Sequence, residues 1–340
     1  MTSLHPDPAR DALRLHWAQQ ALDDPHASLQ RASVDAGFRS YWRTRGRGVD
    51  RILMDAPPQL ENVAPWLRMH ALLGAHGVRV PQVLAQDLET GFLLLEDLGV
   101  PTLAQVLTDA NADDLLDGAI AQLLLLLQRI PPPADSGVFG EALLQRDAGL
   151  FEEWFLGRHL GVQLDCAHAE QLQLVQRHLM NNALAQPRVF THRDFMPRNL
   201  MPVPDGPAVL DFQDCVIGPI AYDPISLFKD TSVSWPIARV DSWLQHYHAR
   251  AAAAGLPVPP SAQFLRDADW MGVQRHLKNL GIFSRLSHRD GKHWYLDNVP
   301  RFMAYLDEVL PRYAELAPLI GLLDAVIKPA LAARAQQATA

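Results

Sequence analysis

One stretch near the middle of the chain, residues 191–214, constrains the fold and the chemistry more than any other. It contains the tripeptide HRD ending at Asp194, and Asn199 follows five residues later. A short apolar run then ends in the tripeptide DFQ, which begins at Asp211. The spacing predicts two carboxylates and one amide oxygen on loops beside short strands, which is where functional side chains are commonly found.

These groups match the needs of phosphoryl transfer. One carboxylate meets the acceptor hydroxyl, while an amide oxygen and a second carboxylate hold Mg²⁺ on the nucleotide phosphates. The order H-R-D-x-x-x-x-N and then D-F-G is kept, except that Gln213 replaces the glycine. We therefore predict Asp194 as the catalytic residue, and Asn199 and Asp211 as the ligands of Mg²⁺.

The composition supports a globular enzyme and argues against two classes of partner. The 340 residues are 48% hydrophobic, enough for one large two-lobed domain or two ordinary ones. The net charge of −8 disfavours a nucleic-acid or anionic-membrane partner. No signal peptide is recognisable, and the longest apolar run, Leu123–Leu127, is too short to span a bilayer. We expect a cytoplasmic monomer that acts on a small molecule.

The first hundred residues predict the order β-β-β-α-β-β after an amphipathic helix. Short apolar bursts separated by glycine-containing turns indicate antiparallel strands, and apolar residues three and four apart indicate helices. The predicted elements are helices at Pro8–Leu22 and 61–76, three strands within 26–58, and strands at Val83–Asp87 and Phe92–Glu96.

Beyond residue 100 the pattern is mostly helical. Helices are predicted at 113–129, 141–160, 168–186, 222–231, 236–254, 261–286 and 297–333, the last broken at Pro311 and Pro318. Strand fragments near 188–190, 200–203 and 208–211 bracket the catalytic loop. The predicted fold class is α+β and bilobal, like the protein kinases. Residues 1–98 form a small antiparallel-sheet lobe with one main helix, and residues 99–340 form a large, mostly helical lobe.

The nucleotide side of the site is predicted less directly. Residues 33–40 stand where a hairpin would cover the phosphates, and Gly37 between Ser33 and Phe38 permits close backbone approach. An ordinary hairpin turn explains the same residues equally well. Glu96 to Leu98 would offer main-chain groups to the adenine.

One expected part is missing from the third strand. A kinase places a lysine there against the phosphates, paired with a helix glutamate. Here Met54 occupies the position, so either the strand is shifted or another cation, such as Arg43 or Arg51, takes this role. We predict Arg43. Glu61 is a candidate for the glutamate, although it would also suit a helix N-terminus simply by its charge.

The segments HRDFMPRN and VLDFQD, with MDAPP, GFLLLEDLG, LFEEWFLGRHL, QRHLKNLGIFSRL and GKHWYLDNVPR, resemble the aminoglycoside phosphotransferase/choline kinase superfamily along nearly the whole chain. The likeness is greatest to its bacterial branch of amino-sugar 1-kinases. It implies ATP and Mg²⁺ as cofactors. It also implies phosphorylation of the anomeric 1-hydroxyl of N-acetylmuramate and N-acetylglucosamine, in peptidoglycan recycling toward UDP-sugars.

In this superfamily the helical lobe binds the acceptor, so we sought acceptor residues there. Arg275 and Lys278 share one face of a predicted helix and would suit the lactyl carboxylate of N-acetylmuramate. Trp154 could stack on a sugar ring, and Glu153 could accept hydrogen bonds from sugar hydroxyls. The plainer alternatives are a solvated basic face and an apolar helix stripe.

Two other functions fit parts of the pattern. An aminoglycoside or choline-type kinase would use the same loop but would need an acidic cleft for a cationic acceptor. A nucleotide-binding pseudokinase scaffold would explain the missing lysine, but it would not need Asp194, Asn199 and Asp211 together.

Overall fold

The computed structural model describes residues 7–33 and 38–339, and the chain divides into two compact units. The first comprises Met1–Gln122 and Asn199–Gln213, and the second comprises Leu123–Arg198 and Asp214–Ala340. The lobe boundary predicted after residue 98 falls inside the first unit, and it stays a prediction. The stretch 191–214 is divided between the two units, because Asn199 and Asp211 belong to the first unit and Asp194 belongs to the second.

The strands are short and confirm the predicted order of the first hundred residues. In chain order they are β1 Ser28–Ser33, β2 Ser40–Arg45, β3 Arg51–Asp55, β4 Val83–Asp87, β5 Phe92–Glu96, β6 Gly137–Val138, β7 Arg188–Thr191, β8 Leu200–Met201, β9 Ala208–Val209 and β10 Val216–Pro219. Two of them, β4 and β5, have the predicted bounds.

The helices carry most of the remaining chain. In chain order they are α1 Pro8–Leu22, α2 Ala64–Ala75, α3 Leu103–Val106, α4 Ala112–Gln122, α5 Glu141–Leu150, α6 Cys166–Ala185, α7 Tyr222–Phe228, α8 Ile237–Ala253, α9 Ser261–Asp290, α10 Val299–Val309, α11 Ala317–Leu322 and α12 Lys328–Thr339. Wider π-helical turns occur at Leu123–Leu127, Phe151–Leu160 and Leu323–Ile327, and short 3-10 turns at Pro197–Asn199, His293–Asn298, Leu310–Arg312 and Ala314–Leu316.

Capping residues and prolines account for the helix bounds that differ from the prediction. Helix α6 begins two residues early because the Asp165 carboxylate accepts a hydrogen bond from the His168 backbone N–H at 2.8 Å. The predicted break at Pro311 is present as a 3-10 turn. Pro318 instead lies in the first turn of α11, where a missing N–H costs nothing.

The first unit is built on an antiparallel sheet of order β1-β2-β3-β5-β4. Helix α1 is fixed to this sheet by charge as well as by packing. Buried Asp55 on β3 accepts hydrogen bonds from Arg10 Nη2 at 2.6 Å and Arg14 Nε at 2.8 Å. Because both carboxylate oxygens are engaged, the burial cost of this charge is largely offset.

The second unit is organised around the 30-residue helix α9, most of whose middle is buried. Gly281 lets α9 approach the α5 backbone, since a Cβ there would lie 2.4 Å from the Leu150 carbonyl carbon and oxygen. A three-stranded sheet, β6-β10-β7, sets Val216 of β10 opposite Thr191 of β7. The strands before and after the catalytic stretch are therefore neighbours.

One helical stretch near the C-terminus, Ala314–Gln337, is long and apolar enough by composition alone to cross a membrane. Its residues Leu319, Leu322 and Leu323 are buried in the apolar core of the second unit. Burial of these leucines in the core accounts for part of the apolar composition of the stretch Ala314–Gln337.

Replacing Gly281 with alanine should destabilise the second unit, because the new methyl group would overlap the Leu150 backbone. We expect a loss of about 1–3 kcal/mol, the range typical of overpacking. Gly149→Ala is the matched control: its site on α5 is open within 4 Å, so the substitution should gain about 0.5–1 kcal/mol of helix propensity. Thermal unfolding followed by circular dichroism measures both, and equal effects of the two substitutions would contradict the close approach.

Candidate active site

The backbone of the catalytic loop is held by a buried carboxylate, that of Asp223 at the start of α7. Its Oδ2 accepts a hydrogen bond from the His192 N–H at 2.7 Å, and its Oδ1 accepts one from the Arg193 N–H at 2.9 Å. Arg193 adopts the left-handed conformation with φ 75°, which is uncommon for a residue other than glycine. Burial raises the pKa of Asp223 to about 6, which still leaves it ionised at neutral pH. The two hydrogen bonds therefore hold a strained turn directly before Asp194.

Asp194 is half-buried in the second unit and lies among positive charges. Burial alone would raise its pKa, but Lys278 and Arg275, with smaller contributions from His192 and Arg198, outweigh burial and lower the pKa. Its backbone N–H is also close to His192 Nδ1, at 3.2 Å. Asp194 is therefore ionised at neutral pH and able to accept a hydrogen bond from a hydroxyl group.

The cations near Asp194 are themselves buried and ordered by Tyr222. Lys278 Nζ donates a hydrogen bond to the Tyr222 hydroxyl at 2.7 Å. The Arg275 guanidinium lies over the Tyr222 ring, 5.6 Å from its centroid, and the residue is only 2% exposed. Arg275 and Lys278, predicted as acceptor residues, are thus interior residues, and a solvated basic face is excluded.

In the first unit, Asn199 and Asp211 lie at the base of the two-stranded hairpin β8–β9. The hairpin brings the two ends together, and the Leu210 N–H donates a hydrogen bond to the Asn199 carbonyl at 2.9 Å. One amide oxygen and one carboxylate suit Mg²⁺, which keeps most of its other ligands as water or phosphate oxygens. Within residues 7–33 and 38–339, no group of three or more His, Cys, Asp or Glu side chains could hold a metal ion.

The DFQ tripeptide supplies a hydrogen-bond donor to the Asp211 carboxylate and an apolar anchor beside it. Asp211 has φ 60°, and its Oδ1 accepts a hydrogen bond from the Gln213 side-chain amide at 2.7 Å. The Phe212 ring packs against Trp66 of α2 at 5.1 Å and lies 6.2 Å from His70. The glutamine that departs from the D-F-G pattern is therefore a direct partner of the predicted metal ligand.

A third charged group lies beside Asp211 in this unit. Arg39 precedes β2, and its Nη2 is 4.0 Å from Asp211 Oδ1. Its Nε is 3.9 Å from Glu61 Oε1. Both contacts are long ion pairs and neither distance is that of a hydrogen bond, so the guanidinium lies between two carboxylates without a hydrogen bond to either.

The cations predicted near the third strand have other partners. Arg43 pairs with Asp97 through two hydrogen bonds and donates a third, at 2.8 Å, to the Gly99 carbonyl. Arg51 donates to the Asp50 carbonyl. Met54 is fully buried. The structure therefore places Arg43 at the segment after β5 and engages its guanidinium there.

The remaining predicted nucleotide residues lie on two segments of the first unit. Glu96 ends β5 and binds Arg79 through two hydrogen bonds of 2.6 and 2.8 Å, while half-buried Leu98 follows two residues later. Ser33 ends β1 and is exposed, and Phe38 is half-exposed. Gly37 lies outside the described residues. Their role in nucleotide binding stays a prediction.

The two other predicted acceptor residues belong to the π-helical segment Phe151–Leu160. Trp154 is partly exposed and Glu153 is exposed. Close to this segment, the second unit has a small, half-open pocket with both apolar and polar walls. Its lining residues are Leu144, Asp147, Ala148, Phe151, Gln176, Leu179, Met180, Gln274, Leu277 and Lys278. Lys278 thus lines this pocket and also acts on Asp194.

Residues 28–265 match the family described as the phosphotransferase enzyme family. The chain belongs to this family. It is 48% identical over 323 residues to a Pseudomonas putida protein named N-acetylmuramate/N-acetylglucosamine kinase, covering 91% of this chain and 95% of that protein. A Neisseria meningitidis protein of the same name is 41% identical, covering 91% of this chain and 93% of that protein.

Two solved phosphotransferase structures confirm the fold class. The ADP-bound aminoglycoside phosphotransferase APH(2'')-Ib matches with a TM-score of 0.58 and 14% identity, covering 87% of this chain and 97% of that one. Choline kinase LicA from Streptococcus pneumoniae matches with a TM-score of 0.57 and 15% identity, covering 86% and 98%. The predicted α+β, bilobal kinase-like fold is therefore confirmed.

Sequence reasoning missed two residues of this phosphotransferase. In the sequence, Asp223 belongs to a Tyr-Asp-Pro segment. Nothing in that segment indicates that Asp223 binds the backbone of a loop 30 residues earlier. Arg39 lies outside the third strand, where the kinase pattern places its cation. Its place directly after the predicted hairpin is the sequence signal that points to it.

Replacing Asp223 with asparagine should misplace the catalytic loop, because an amide offers one acceptor oxygen for two N–H donors. We expect kcat to fall by about 10²-fold, the size of effect that a small misplacement of a catalytic group produces. Nucleotide affinity should stay within a few-fold of the unmodified chain. Asp135→Asn, an exposed site in the same unit, is the control. A lower melting temperature with kcat intact would show that Asp223 stabilises the fold without positioning the loop.

Proposed function

We propose that the chain is an ATP-dependent kinase that phosphorylates the anomeric 1-hydroxyl of N-acetylmuramate and N-acetylglucosamine. The observation that carries this proposal is the 48% identity, over nearly the full length of both chains, to a protein named as a kinase for these two sugars. The ionised Asp194 on a fixed loop is the group that such a kinase needs.

Asp194 accepts a hydrogen bond from the 1-hydroxyl and aligns its oxygen with the γ-phosphorus. The new O–P bond forms as the bond to ADP breaks, and the hydroxyl proton passes to Asp194 late in the reaction. A loose transition state demands orientation more than a strong base. A lowered pKa at Asp194 is therefore compatible with catalysis.

Asn199 and Asp211 are the residues that would hold Mg²⁺. An ion held there would supply positive charge to the transferring phosphates and help to fix their position. Glu96 to Leu98 would face the adenine, and the segment between Ser33 and Phe38 would cover the phosphates.

The acceptor end of the site favours an anionic or neutral sugar. Lys278 and buried Arg275 give a positive environment that suits the lactyl carboxylate of N-acetylmuramate. The same charges oppose the polycationic aminoglycosides and choline. We further propose a cytoplasmic monomer in peptidoglycan recycling, whose sugar 1-phosphate product is consumed by a nucleotidyl transfer to a UDP-sugar.

The test is phosphoryl transfer from ATP to N-acetylmuramate, N-acetylglucosamine, choline and kanamycin, with the product position assigned by phosphorus NMR. We expect 1-phosphates of the two amino sugars only. Asp194→Asn should lower kcat by about 10²–10⁴-fold, the usual contribution of such a group. Its affinity for ATP should survive.

Three results would contradict the proposal. Transfer to choline or kanamycin alone would overturn the acceptor. ATP binding without transfer to any acceptor would favour the scaffold. An Asp194→Asn variant within a few-fold of the unmodified chain would overturn the role of that residue.

A further inference from the structure

Arg39 of the first unit is a largely buried arginine that lies beside two carboxylates without a hydrogen bond to either. Its side chain is 11% exposed, and Nε makes no hydrogen bond although it is buried from solvent. The carboxylates of Glu61 and Asp211 lie 3.9 and 4.0 Å away, beyond the 2.7–2.9 Å of a charge-assisted hydrogen bond. A buried donor left without an acceptor is costly, so an acceptor is expected to approach it.

The position of Arg39 indicates what that acceptor is. Asp211 is the predicted ligand of the metal that accompanies the nucleotide phosphates. Arg39 also directly follows the segment predicted to cover those phosphates. A planar guanidinium with several donors matches phosphate oxygens, and the neighbouring carboxylate of Glu61 can orient it.

The other cations considered for this role are less suitable. Arg43 is engaged by Asp97 and the Gly99 carbonyl, and the third-strand position itself carries the buried Met54. We propose that Arg39 binds the phosphate oxygens of the nucleotide and replaces the third-strand lysine, with Glu61 as its orienting partner. This inference rests on the proposed function only in requiring that the chain binds a nucleotide.

The experiment measures binding of ATP, ADP and adenosine by calorimetry, in the presence of EDTA and again with Mg²⁺. For Arg39→Met we expect the Kd of ATP and of ADP to rise at least tenfold, with adenosine unchanged, in both conditions. Arg39→Lys should recover part of the loss. Arg68→Met, an exposed arginine on α2, is the control and should match the unmodified chain.

The two conditions separate phosphate contact from support of the metal ligand. A loss that appears only with Mg²⁺ would mean that Arg39 merely positions Asp211 and would overturn the proposal. Equal losses for adenosine and ATP would show a general structural role and would also overturn it. If the unmodified chain bound no nucleotide, the proposed function would fail first.

An independent observation concerns the small pocket of the second unit. Asp147 is 3% exposed and Gln274 is 8% exposed, and both line the pocket. Asp147 Oδ2 and Gln274 Oε1 are buried and make no hydrogen bond. The pocket therefore presents two unused acceptors beside apolar walls that include Leu144 and Phe151.

Lys278 connects this pocket to the catalytic residue. It lines the pocket, and its positive charge is the leading one that lowers the pKa of Asp194. A group bound here would belong to the same acceptor as the hydroxyl at Asp194. An acetamido group has an N–H donor for Asp147, a carbonyl that Lys278 can meet, and a methyl group for the apolar walls.

We infer that this pocket binds the N-acetyl group of the acceptor, the group that N-acetylmuramate and N-acetylglucosamine share. This deepens the proposed function, because it names the residues that select an N-acetylated sugar. The buried carboxylate of Asp147 is a selectivity residue, and its unused oxygen reflects a bond that forms only with the acceptor.

The test compares kcat/KM for N-acetylglucosamine and for glucose. Asp147→Leu should reduce the preference for the N-acetylated sugar at least tenfold, mainly through KM, and leave the melting temperature unchanged or higher. Asp147→Asn should keep part of the preference. Asp135→Leu, at an exposed site, is the control, and Gln274→Leu is a second variant should Asp147→Leu fail to fold.

Equal losses for both sugars, or no change with either, would overturn the inference. No change would mean that the pocket holds only water. Should the unmodified chain phosphorylate neither N-acetylated sugar, the proposed function itself would fail, and the two failures are thus distinguishable.

Discussion

The bidentate contact between Asp223 and the backbone of the catalytic loop is the constraint on which the second unit's chemistry depends. Every residue of α7, which begins at Tyr222, is buried, so the carboxylate of Asp223 has no freedom to follow a moving loop. Tyr222 at its side receives the hydrogen bond of Lys278 on α9. The short helix α7 therefore connects the loop that carries Asp194 with helix α9, which carries Arg275 and Lys278.

This arrangement explains why costly buried charges are kept near Asp194. Replacing a buried ionic group with a well-packed apolar side chain is often neutral or stabilising. Arg275 and Lys278 therefore stabilise the fold little more than leucines at these positions would. Arg275 Nε, for example, makes no hydrogen bond. Their effect is electrostatic, since both lower the pKa of Asp194, and we propose that they also offer positive charge to the acceptor.

Much of this could be predicted from the sequence where the information is local. Apolar periodicity and turns correctly predicted the order of the first five strands. Loop spacing groups Asp194, Asn199 and Asp211 as one set of functional residues, and that grouping stays a prediction. The two-residue strand Gly137–Val138 is too short to show alternation and was not predicted, whereas the equally short β8 and β9 fall within the predicted strand fragments. The pairing of Arg39 with Asp211 joins residues far apart in sequence, and only the folded chain brings them together. The contact of Asp223 with the backbone of residues 192 and 193 could not be predicted for the same reason.

Gln213, which replaces the glycine of the kinase pattern, and Arg39, which we propose in place of the third-strand lysine, both lie beside the Asp211 carboxylate. Gln213 donates to Asp211 Oδ1 at 2.7 Å, and Arg39 Nη2 faces that same oxygen from 4.0 Å. A closer, hydrogen-bonded ion pair between Arg39 and Asp211 would neutralise the predicted metal ligand. It would also occupy the guanidinium that we propose for the phosphates. A neutral amide at Oδ1 satisfies the oxygen without cancelling its charge. Gln213 therefore gives Oδ1 an uncharged donor, which is compatible with the phosphate role that we propose for Arg39.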